Sequence, residues 1–183
     1  MTENQEKKLF LLDAYALIFR AYYAFIKNPR VTSKGMNTSA IFGFLLTLRE
    51  VLQKHKPTHI AVAFDRPEPT FRHEMFPAYK ATRDETPEDI RNSVPYIHKL
   101  LEAYRIPIIS CPGFEADDVI GTLSRKASEK GFLTFMMTPD KDFAQLVTDR
   151  VFMLKPSRSG NESVKWGVED VKREFSEIGR AHV

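Results

Sequence analysis

The sequence has very little cysteine and no long apolar run. Its single cysteine, Cys111, cannot form a disulfide within the chain and has no partners for a zinc knuckle. We therefore expect a reducing compartment and a small buried side chain at this position. No stretch approaches the roughly 20 apolar residues that cross a bilayer, and the polar start MTENQEKK lacks a signal-peptide core. The sequence predicts a soluble cytoplasmic protein with no membrane partner.

The excess of one sign of charge over the other is also small. The chain has 183 residues, of which 43% are hydrophobic and 28% charged, and a formal net charge of +3, which fits one globular domain with a substantial core. The five histidines are scattered along the chain, so none is assigned to a metal. His73 is either a substrate contact or a solvated loop residue.

Apolar runs alternate with helical patterns along most of the chain. Buried strands are predicted at KLFLL, HIAVAF, IPIIS and FLTFMMT, with further strands at 150–154 and 163–166, and helices at 14–27, 39–55, 87–104, 115–131 and 140–148. Pro95 falls inside the third helix, and residues 157–161 form a predicted turn. Strands that alternate with helices predict an α/β fold with a parallel sheet.

Acidic residues cluster where the predicted strands end. They are Asp13, Asp65, Glu115, Asp117, Asp118, Asp140 and Asp142. Because the carboxyl ends of neighbouring parallel strands open onto one crevice, these side chains should converge. Close carboxylates repel one another unless cations supply positive charge. The pattern therefore predicts a metal site, and its oxygen-only ligands favour Mg²⁺ or Mn²⁺ over zinc.

Each acidic residue also has a structural interpretation. Asp13 alone is typical of a helix N-cap, and Asp65 before a proline is typical of a turn. Carboxylates in the first turn of the EADDVIG helix suit the helix dipole. However, Glu115 and Asp118 share one helix face and should repel each other, which a bound cation would relieve. Capping explains one member of the DKD pair but does not require both.

A basic and aromatic segment, FRHEMFPAYKATRDETP, follows the second strand. Its cations Arg72, Lys80 and Arg83 alternate with aromatic rings, a combination that holds phosphates and stacks on unpaired bases. The competing interpretation is an ordinary surface loop with packed aromatics, which we favour for Phe76. For Lys80 and Arg83 we favour a role at a substrate phosphate. Arg20, on the apolar first helix, is either a similar contact or a snorkelling structural arginine.

Four segments resemble a known family. LFLLDAYALIFRAYYA, AVAFDRPEPTFRHEMFPAYKATRDETPEDI, PGFEADDVIGTL and TPDKDFAQLV occur in the order seen in the N-terminal 5′-3′ exonuclease domain of bacterial DNA polymerase I. That domain belongs to the flap endonuclease group of the PIN-like nucleases. The resemblance implies a three-layer α/β/α fold with a central, mainly parallel, twisted sheet and an arch-like loop and helix insertion at about 66–86.

The resemblance also implies a function. It is metal-dependent hydrolysis of phosphodiester bonds in DNA with a 5′ flap, nick or branch, and in RNA primers, during bacterial replication and repair. The acidic residues above are the implied ligands of two Mg²⁺ or Mn²⁺ ions. Lys80 and Arg83 are implied to steer the scissile phosphate and Tyr79 to stack on a base, while Arg72 and Arg20 are further candidate DNA contacts.

The resemblance ends before the chain does. Residues 1–176 are expected to form the catalytic domain, without the helix-hairpin-helix-like DNA-binding region that follows it in the family. The resemblance implies a monomeric domain that is normally continuous with that region and a polymerase. We expect residues 177–183, EIGRAHV, to be a non-native tail, because they match the translation of a common sequencing adapter. Resequencing of the source DNA tests this.

Two other functions compete with this one. A PIN-type ribonuclease shares the acidic crevice, although the long basic and aromatic segment and the full EADD pattern argue against it. A DNA-binding module with little activity would describe a chain that lacks part of its metal site. The sequence alone leaves both open.

Overall fold

The fold is built on one mixed sheet. The computed structural model describes residues 6–82, 84–156 and 163–180. Its strands run in the order β3-β2-β1-β4-β5-β6, and all neighbours are parallel except β5 and β6. The strands are β1 (Lys8–Asp13), β2 (His59–Ala63), β3 (Ile108–Ile109), β4 (Leu133–Met137), β5 (Val151–Lys155) and β6 (Val164–Trp166). The predicted parallel sheet and edge strand are confirmed.

Helices connect the strands largely as the sequence predicts. They are α1 (Ala14–Ala24), α2 (Ser39–Glu50), α3 (Phe71–Met75), α4 (Glu88–Ala103), α5 (Ala116–Glu129) and α6 (Val168–Arg180), with a π-helical turn at Val51–His55 and a 3₁₀ turn at Lys141–Leu146. The first helix ends earlier than predicted because the Phe25 N–H bonds to the carbonyls of Tyr22 and Tyr23. No helix in the described part of the chain is long and apolar enough to cross a membrane.

Two hydrophobic cores lie on opposite faces of the sheet. Phe10 and Leu12 of β1 point into a core formed with α1, α2 and α4. Leu11, between them, points into a second core with Ile120 of α5. Alternate strand residues face opposite sides of a sheet, so a central strand buried on both faces reads as a continuous apolar run. The three-layer α/β/α architecture is therefore confirmed.

Three local predictions fail. Cys111 is exposed rather than buried, because it lies in the turn between β3 and α5. The IPIIS strand shrinks to the two residues of β3, which sits at the sheet edge. Phe76 does not pack down, since 61% of it is exposed. The turn predicted at 157–161 lies outside the described residues.

Gly43 sets the distance between α1 and α2. A Cβ atom at this position would lie 2.6 Å from the Ala21 Cβ and 3.2 Å from the Ala21 Cα. One of these atoms belongs to the backbone, so only a shift of a helix could make room. Glycine at position 43 is therefore a packing requirement of the α1–α2 contact.

We expect Gly43→Ala to destabilise the fold by about 1–3 kcal/mol, the usual cost of overpacking. Gly121→Ala is the matched control, because its new Cβ would meet only the flexible Leu146 side chain at 3.3 Å. Alanine there should gain up to about 1 kcal/mol in helix propensity. Urea unfolding midpoints at constant m value measure both. Equal midpoints for the two variants would contradict the packing role.

Candidate active site

Acidic side chains from four places in the sequence surround one cavity of about 230 Å³. The cavity lies at the carboxyl edge of the sheet, where β1 ends at Asp13 and β4 ends just before the 3₁₀ turn. Its acidic lining residues are Asp13, Asp65, Glu115, Asp117 and Asp140. We call this space the acidic cavity. The convergence predicted from the strand ends is present for these residues.

Asp13 is the most constrained of these carboxylates. Only 8% of it is exposed. Its Oδ1 accepts a hydrogen bond from the Ala16 N–H at 3.2 Å, which caps α1, and its Oδ2 accepts one from the Thr138 hydroxyl at 3.1 Å. Burial raises the pKa of Asp13 to about 6, and the charges of Asp65 and Asp140 add to this against the two hydrogen bonds. Asp13 is therefore both the helix cap and a member of the acidic cluster.

The first turn of α5 is neutralised by an arginine. Arg72 donates two hydrogen bonds to Asp118, at 2.6 and 2.8 Å, and its Nη1 lies 3.5 Å from Glu115 Oε2. Asp118 also accepts from the Glu115 N–H at 3.0 Å. The hydrogen bonds from Arg72 hold the pKa of Asp118 below its usual value. The predicted repulsion between Glu115 and Asp118 is thus relieved by Arg72, and no metal is needed for this pair.

Glu115 also holds the basic and aromatic segment against α5. Lys80 donates to Glu115 Oε1 at 2.6 Å and the Tyr79 hydroxyl donates to Oε2 at 3.1 Å. Only 7% of Glu115 is exposed. The Lys80 backbone is left-handed, with φ of +58°, a conformation that costs a non-glycine residue free energy and that neighbouring contacts must stabilise. Lys80 therefore reaches the acidic cavity through a specific backbone turn.

The remaining carboxylates are more exposed. Asp65 Oδ1 accepts from the Ala116 N–H at 2.7 Å and so caps α5 from another segment. Burial is the largest cause of the raised pKa of Asp117, followed by the charge of Asp118. Asp140 caps the 3₁₀ turn by accepting from the Asp142 N–H at 3.0 Å. Several of these groups thus serve as caps while they face the cavity.

The donor chemistry fits a hard divalent cation. Carboxylate oxygens line the acidic cavity, and neither histidine nor cysteine is among the described lining residues. Within the described residues, however, no three acidic, histidine or cysteine side chains are grouped closely enough to enclose an ion. Mg²⁺ commonly keeps several waters and uses one or two carboxylates together with substrate phosphates. An open arrangement of this kind suits that coordination better than a closed protein cage.

Some predicted site residues lie elsewhere. Asp118 and Asp142 are not among the described residues that line the acidic cavity. Arg20 lines a separate cavity together with Lys141 and Lys155. Arg83 lies outside the described residues. The predicted ligand set is therefore split. Arg72 binds Asp118, and Asp142 lies inside the 3₁₀ turn, where its N–H donates to Asp140.

Sequence reasoning missed Thr138 and did not find the structural contacts of His73. Thr138 is fully buried and joins Asp13 to the Asp140 N–H, which donates to its hydroxyl at 3.1 Å. His73 Nδ1 accepts from the Thr70 N–H at 3.1 Å, and its ring meets Tyr79 edge-on at 5.3 Å. His73 therefore lies in a short helix rather than in a solvated loop, and a contact between His73 and substrate stays a prediction. The sequence could have indicated Thr138, because this threonine lies two residues before Asp140, one of the predicted acidic residues.

Comparison with known proteins now identifies the family. Residues 8–176 match the 5′-3′ exonuclease, N-terminal resolvase-like domain. The chain belongs to this family. The matched region contains every element of the acidic cavity and the whole basic and aromatic segment. The family resemblance predicted from the four sequence segments is confirmed.

Related chains are bacterial and longer. DNA polymerase I of Synechocystis is 48% identical over 143 residues, which are 76% of this chain and 14% of that protein. DNA polymerase I of Bacillus subtilis is 38% identical over 176 residues, 96% of this chain and 19% of that protein. A 5′-3′ exonuclease of Aquifex aeolicus is 38% identical over 171 residues, 91% of this chain and 58% of that protein. This chain thus spans less than two thirds of each of these relatives.

Solved structures share the fold of this exonuclease-family domain. The T5 D15 protein, co-crystallised with metal ions, superposes with a TM-score of 0.67 over 92% of this chain and 60% of its own, at 17% identity. The bacteriophage T5 D15 flap endonuclease in a complex with DNA and metal ions gives a TM-score of 0.64 at 17% identity, again over 92% of this chain and 60% of its own. At such identities the likeness concerns the fold alone.

We expect Thr138→Val to destabilise the protein by about 1–3 kcal/mol, because it leaves a buried carboxylate and a backbone N–H without their shared partner. Thr134→Val is the control. Thr134 is also fully buried in β4, but its hydroxyl has no hydrogen-bond partner among the described residues, so its loss should be neutral or stabilising. Thermal unfolding measures the difference. Equal losses would contradict the role of the Thr138 hydrogen bonds.

Proposed function

We propose that this chain carries the catalytic domain of a metal-dependent 5′-3′ exonuclease and 5′-flap endonuclease that hydrolyses phosphodiester bonds in DNA. The observation that carries the proposal is the acidic cavity with Lys80 at its edge, 2.6 Å from Glu115. Family membership supports it, as does the name of the Aquifex relative, a 5′-3′ exonuclease. Hydrolysis of RNA primers belongs to the same proposal.

The acidic cavity is the proposed site of Mg²⁺ or Mn²⁺, with two ions as the family resemblance implies. Asp13, Asp65, Asp117 and Asp140 would offer oxygens directly or through water, and Glu115 would follow once Lys80 and Tyr79 turn to the substrate. When bound, such ions lower the pKa of water and stabilise negative charge on phosphoryl oxygens. No side chain then has to act as the nucleophile.

The chain's own residues would hold and orient the substrate. The Lys80 ammonium can donate to a phosphoryl oxygen as charge develops there, which is electrostatic stabilisation of the transition state. Arg72 keeps α5 and the segment at 71–82 together through Asp118. Tyr79, whose ring lies beneath the Lys80 ammonium at 5.0 Å, presents an aromatic face on which a base can stack.

A larger opening beside the acidic cavity supports a single-stranded substrate. This second space, about 660 Å³, is lined by Tyr15 and Phe19 of α1 and by Arg66 and Asp84 of the insertion, and it shares Asp65 with the acidic cavity. The two aromatic rings, with one arginine beside them, offer surfaces on which the bases of an unpaired strand can stack. We propose that the 5′ strand passes here, beneath the insertion at 66–86.

We also propose that this domain is part of a longer protein. The matched region is only 14% and 19% of two DNA polymerase I relatives, which supports a nuclease domain that is part of a longer chain. We propose that this domain is monomeric and normally continuous with a DNA-binding region and a polymerase. Branched or nicked DNA and RNA–DNA primer junctions in the bacterial cytoplasm are the proposed substrates. The assignment of residues 1–176 to the domain and of 177–183 to a non-native tail stays a prediction.

Asp117→Asn tests the acidic cavity. With Mg²⁺ or Mn²⁺ and a 5′-flap DNA, we expect cleavage by the parent chain and a 10- to 100-fold slower rate in the variant, the usual effect of losing a group that supports a metal. Asp149→Asn makes the same change in an exposed residue before β5, at the opposite edge of the sheet, and should cleave like the parent. A chelator should abolish cleavage by all three.

The same assay separates the competing functions. Plain duplex DNA and single-stranded RNA are incubated beside the flap substrate, and binding is measured in parallel. Cleavage of RNA alone would identify a ribonuclease and reject the flap endonuclease. Flap binding without any cleavage would identify a DNA-binding module.

Lys80→Ala should slow flap cleavage about 10²–10³-fold, as expected for a donor to the transition state, with a much smaller effect on flap binding. Lys126→Ala is the control, since Lys126 is an exposed lysine in the last turn of α5, far from its acidic first turn. Single-turnover rates and equilibrium binding are measured for both. Equal single-turnover rates for Lys80→Ala and the parent would remove Lys80 from the site.

A further inference from the structure

A contact between two aromatic rings joins the start of the insertion to its later part. His73 is the third residue of α3. Its ring meets the Tyr79 ring edge-on, with 5.3 Å between the ring centroids and 83° between the ring planes. Both residues are half-buried, whereas residues 74–78 between them are exposed. The contact between the two rings therefore closes an exposed loop at its base.

The orientation of the His73 ring is fixed by the residue before α3. His73 Nδ1 accepts a hydrogen bond from the Thr70 N–H at 3.1 Å. A backbone N–H can only donate, so Nδ1 carries a lone pair and the proton of the neutral ring lies on Nε2. The Thr70 hydroxyl, 2.9 Å from Nδ1, is then a second donor to the same nitrogen. These two hydrogen bonds determine both the tautomer and the plane of the ring.

Thr70 is in turn attached to the rest of the protein. Only 6% of it is exposed. The N–H of the next residue, Phe71, donates to the Gly113 carbonyl at 3.0 Å, and the Phe71 ring lies 5.5 Å from the Phe114 ring. Gly113 and Phe114 belong to the turn that leads into α5. The His73 ring therefore has a fixed base that does not depend on any carboxylate of the acidic cavity.

Tyr79 connects His73 to the Lys80 ammonium, which lies over the Tyr79 ring at 5.0 Å. Both side chains also donate to Glu115. These two hydrogen bonds must break if Lys80 donates to a substrate phosphate and Glu115 offers oxygens to a metal. The contact between the His73 and Tyr79 rings includes neither Glu115 nor the substrate. It can therefore persist when the other contacts of Tyr79 and Lys80 change.

We propose that His73 is a positioning residue, whose ring holds Tyr79, and through Tyr79 the Lys80 ammonium, at the edge of the acidic cavity while both side chains release Glu115. This inference rests on the proposed function of Lys80. His73 acts through Tyr79 and needs no contact with the reacting atoms. A misplacement of about 1 Å can slow a reaction by about 10²-fold, so the position of the Lys80 ammonium matters as well as its charge.

A double-mutant cycle tests whether His73 acts through Lys80. His73→Ala should slow single-turnover flap cleavage about 10-fold, with a much smaller effect on flap binding. In the Lys80→Ala background, the same change should slow cleavage less than about 2-fold, because the ammonium that His73 positions is already absent. An equal loss in both backgrounds would overturn the proposal.

His73→Gln separates positioning from helix capping. Glutamine at the third helical position can accept a hydrogen bond from the N–H of the residue before the helix, so this variant keeps the Thr70 cap. It has no ring to contact Tyr79. We therefore expect His73→Gln to cleave as slowly as His73→Ala. Cleavage at the parent rate would show that His73 is a helix cap alone.

His59→Ala is the matched control, because His59 makes the same two kinds of contact. Its Nδ1 lies 2.9 Å from the Thr58 hydroxyl, and its ring meets the Phe132 ring edge-on at 5.0 Å. His59 begins β2, so it lies at the opposite edge of the sheet from the acidic cavity. The variant should cleave like the parent. A loss as large as that of His73→Ala would contradict a specific role of His73.

Hydrogen exchange measures the same placement without catalysis, in the presence of a chelator. The Tyr79 and Ala81 N–H groups donate to the carbonyls of Phe76 and Ala78, at 2.8 and 3.1 Å. Loss of the ring contact should speed the exchange of these two amides about 2- to 10-fold in both His73→Ala and His73→Gln. Exchange at the parent rate in both variants would overturn the proposal.

Failure of the proposed function gives a different result. In that case the parent chain cleaves no substrate with Mg²⁺, while both His73 variants still show faster exchange of the Tyr79 and Ala81 amides. This outcome would reject the nuclease, whereas the placement of Tyr79 by His73 would stand.

Discussion

The ion pair between Lys80 and Glu115, 2.6 Å long, is the contact on which the arrangement of the active site depends. Glu115 precedes the first residue of α5, whose inner face packs on the sheet through Ile120. Lys80 belongs to the insertion, which Arg72 also attaches to that helix through Asp118. Because the carboxylates of Glu115 and Asp118 are anchored by the helix, they determine where the insertion lies. The insertion, in return, supplies the positive charge that lets two acidic residues share one helix turn.

Asp13 shows how the acidic cavity affects the stability of the fold. Its pKa rises from 3.8 to about 6, so the folded protein holds this proton more tightly than the unfolded chain does. The raised pKa therefore favours folding at low pH, and this contribution is lost as the pH rises through about 6. At neutral pH a buried charged carboxylate is held in place by the Ala16 N–H and the Thr138 hydroxyl. The buried charge lowers the stability of the folded protein but gives a site that can attract cations, a common compromise at functional positions.

Local sequence patterns predicted the parts of the site that depend on one strand or helix. Each acidic run follows an apolar strand, and parallel strands end at the same edge, so the convergence of Asp13, Asp65 and Asp140 could be inferred without a structure. The partners of the acidic residues could not be inferred in this way. Arg72 and Asp118 are separated by 46 positions, and Thr138 reaches Asp13 across 125, so both contacts depend on tertiary packing. The predictions that Phe76 and Cys111 are buried failed for a related reason. Both residue types favour burial, but no described element covers these two side chains.

The local chain geometry after β4 places opposite charges in two cavities. Asp140 lines the acidic cavity, and Lys141 lines the separate cavity that also contains Arg20 and Lys155. Thr138 is fully buried and bonds to Asp13. Pro139 then fixes its own φ and has no N–H to offer a neighbouring strand, so the sheet pairing ends. Asp140 caps the 3₁₀ turn with its side chain toward the acidic cavity, and Lys141 follows on the other side. Because the 3₁₀ turn is tight, successive residues point in well-separated directions. A short segment can thus place opposite charges in adjacent cavities without letting them pair with each other.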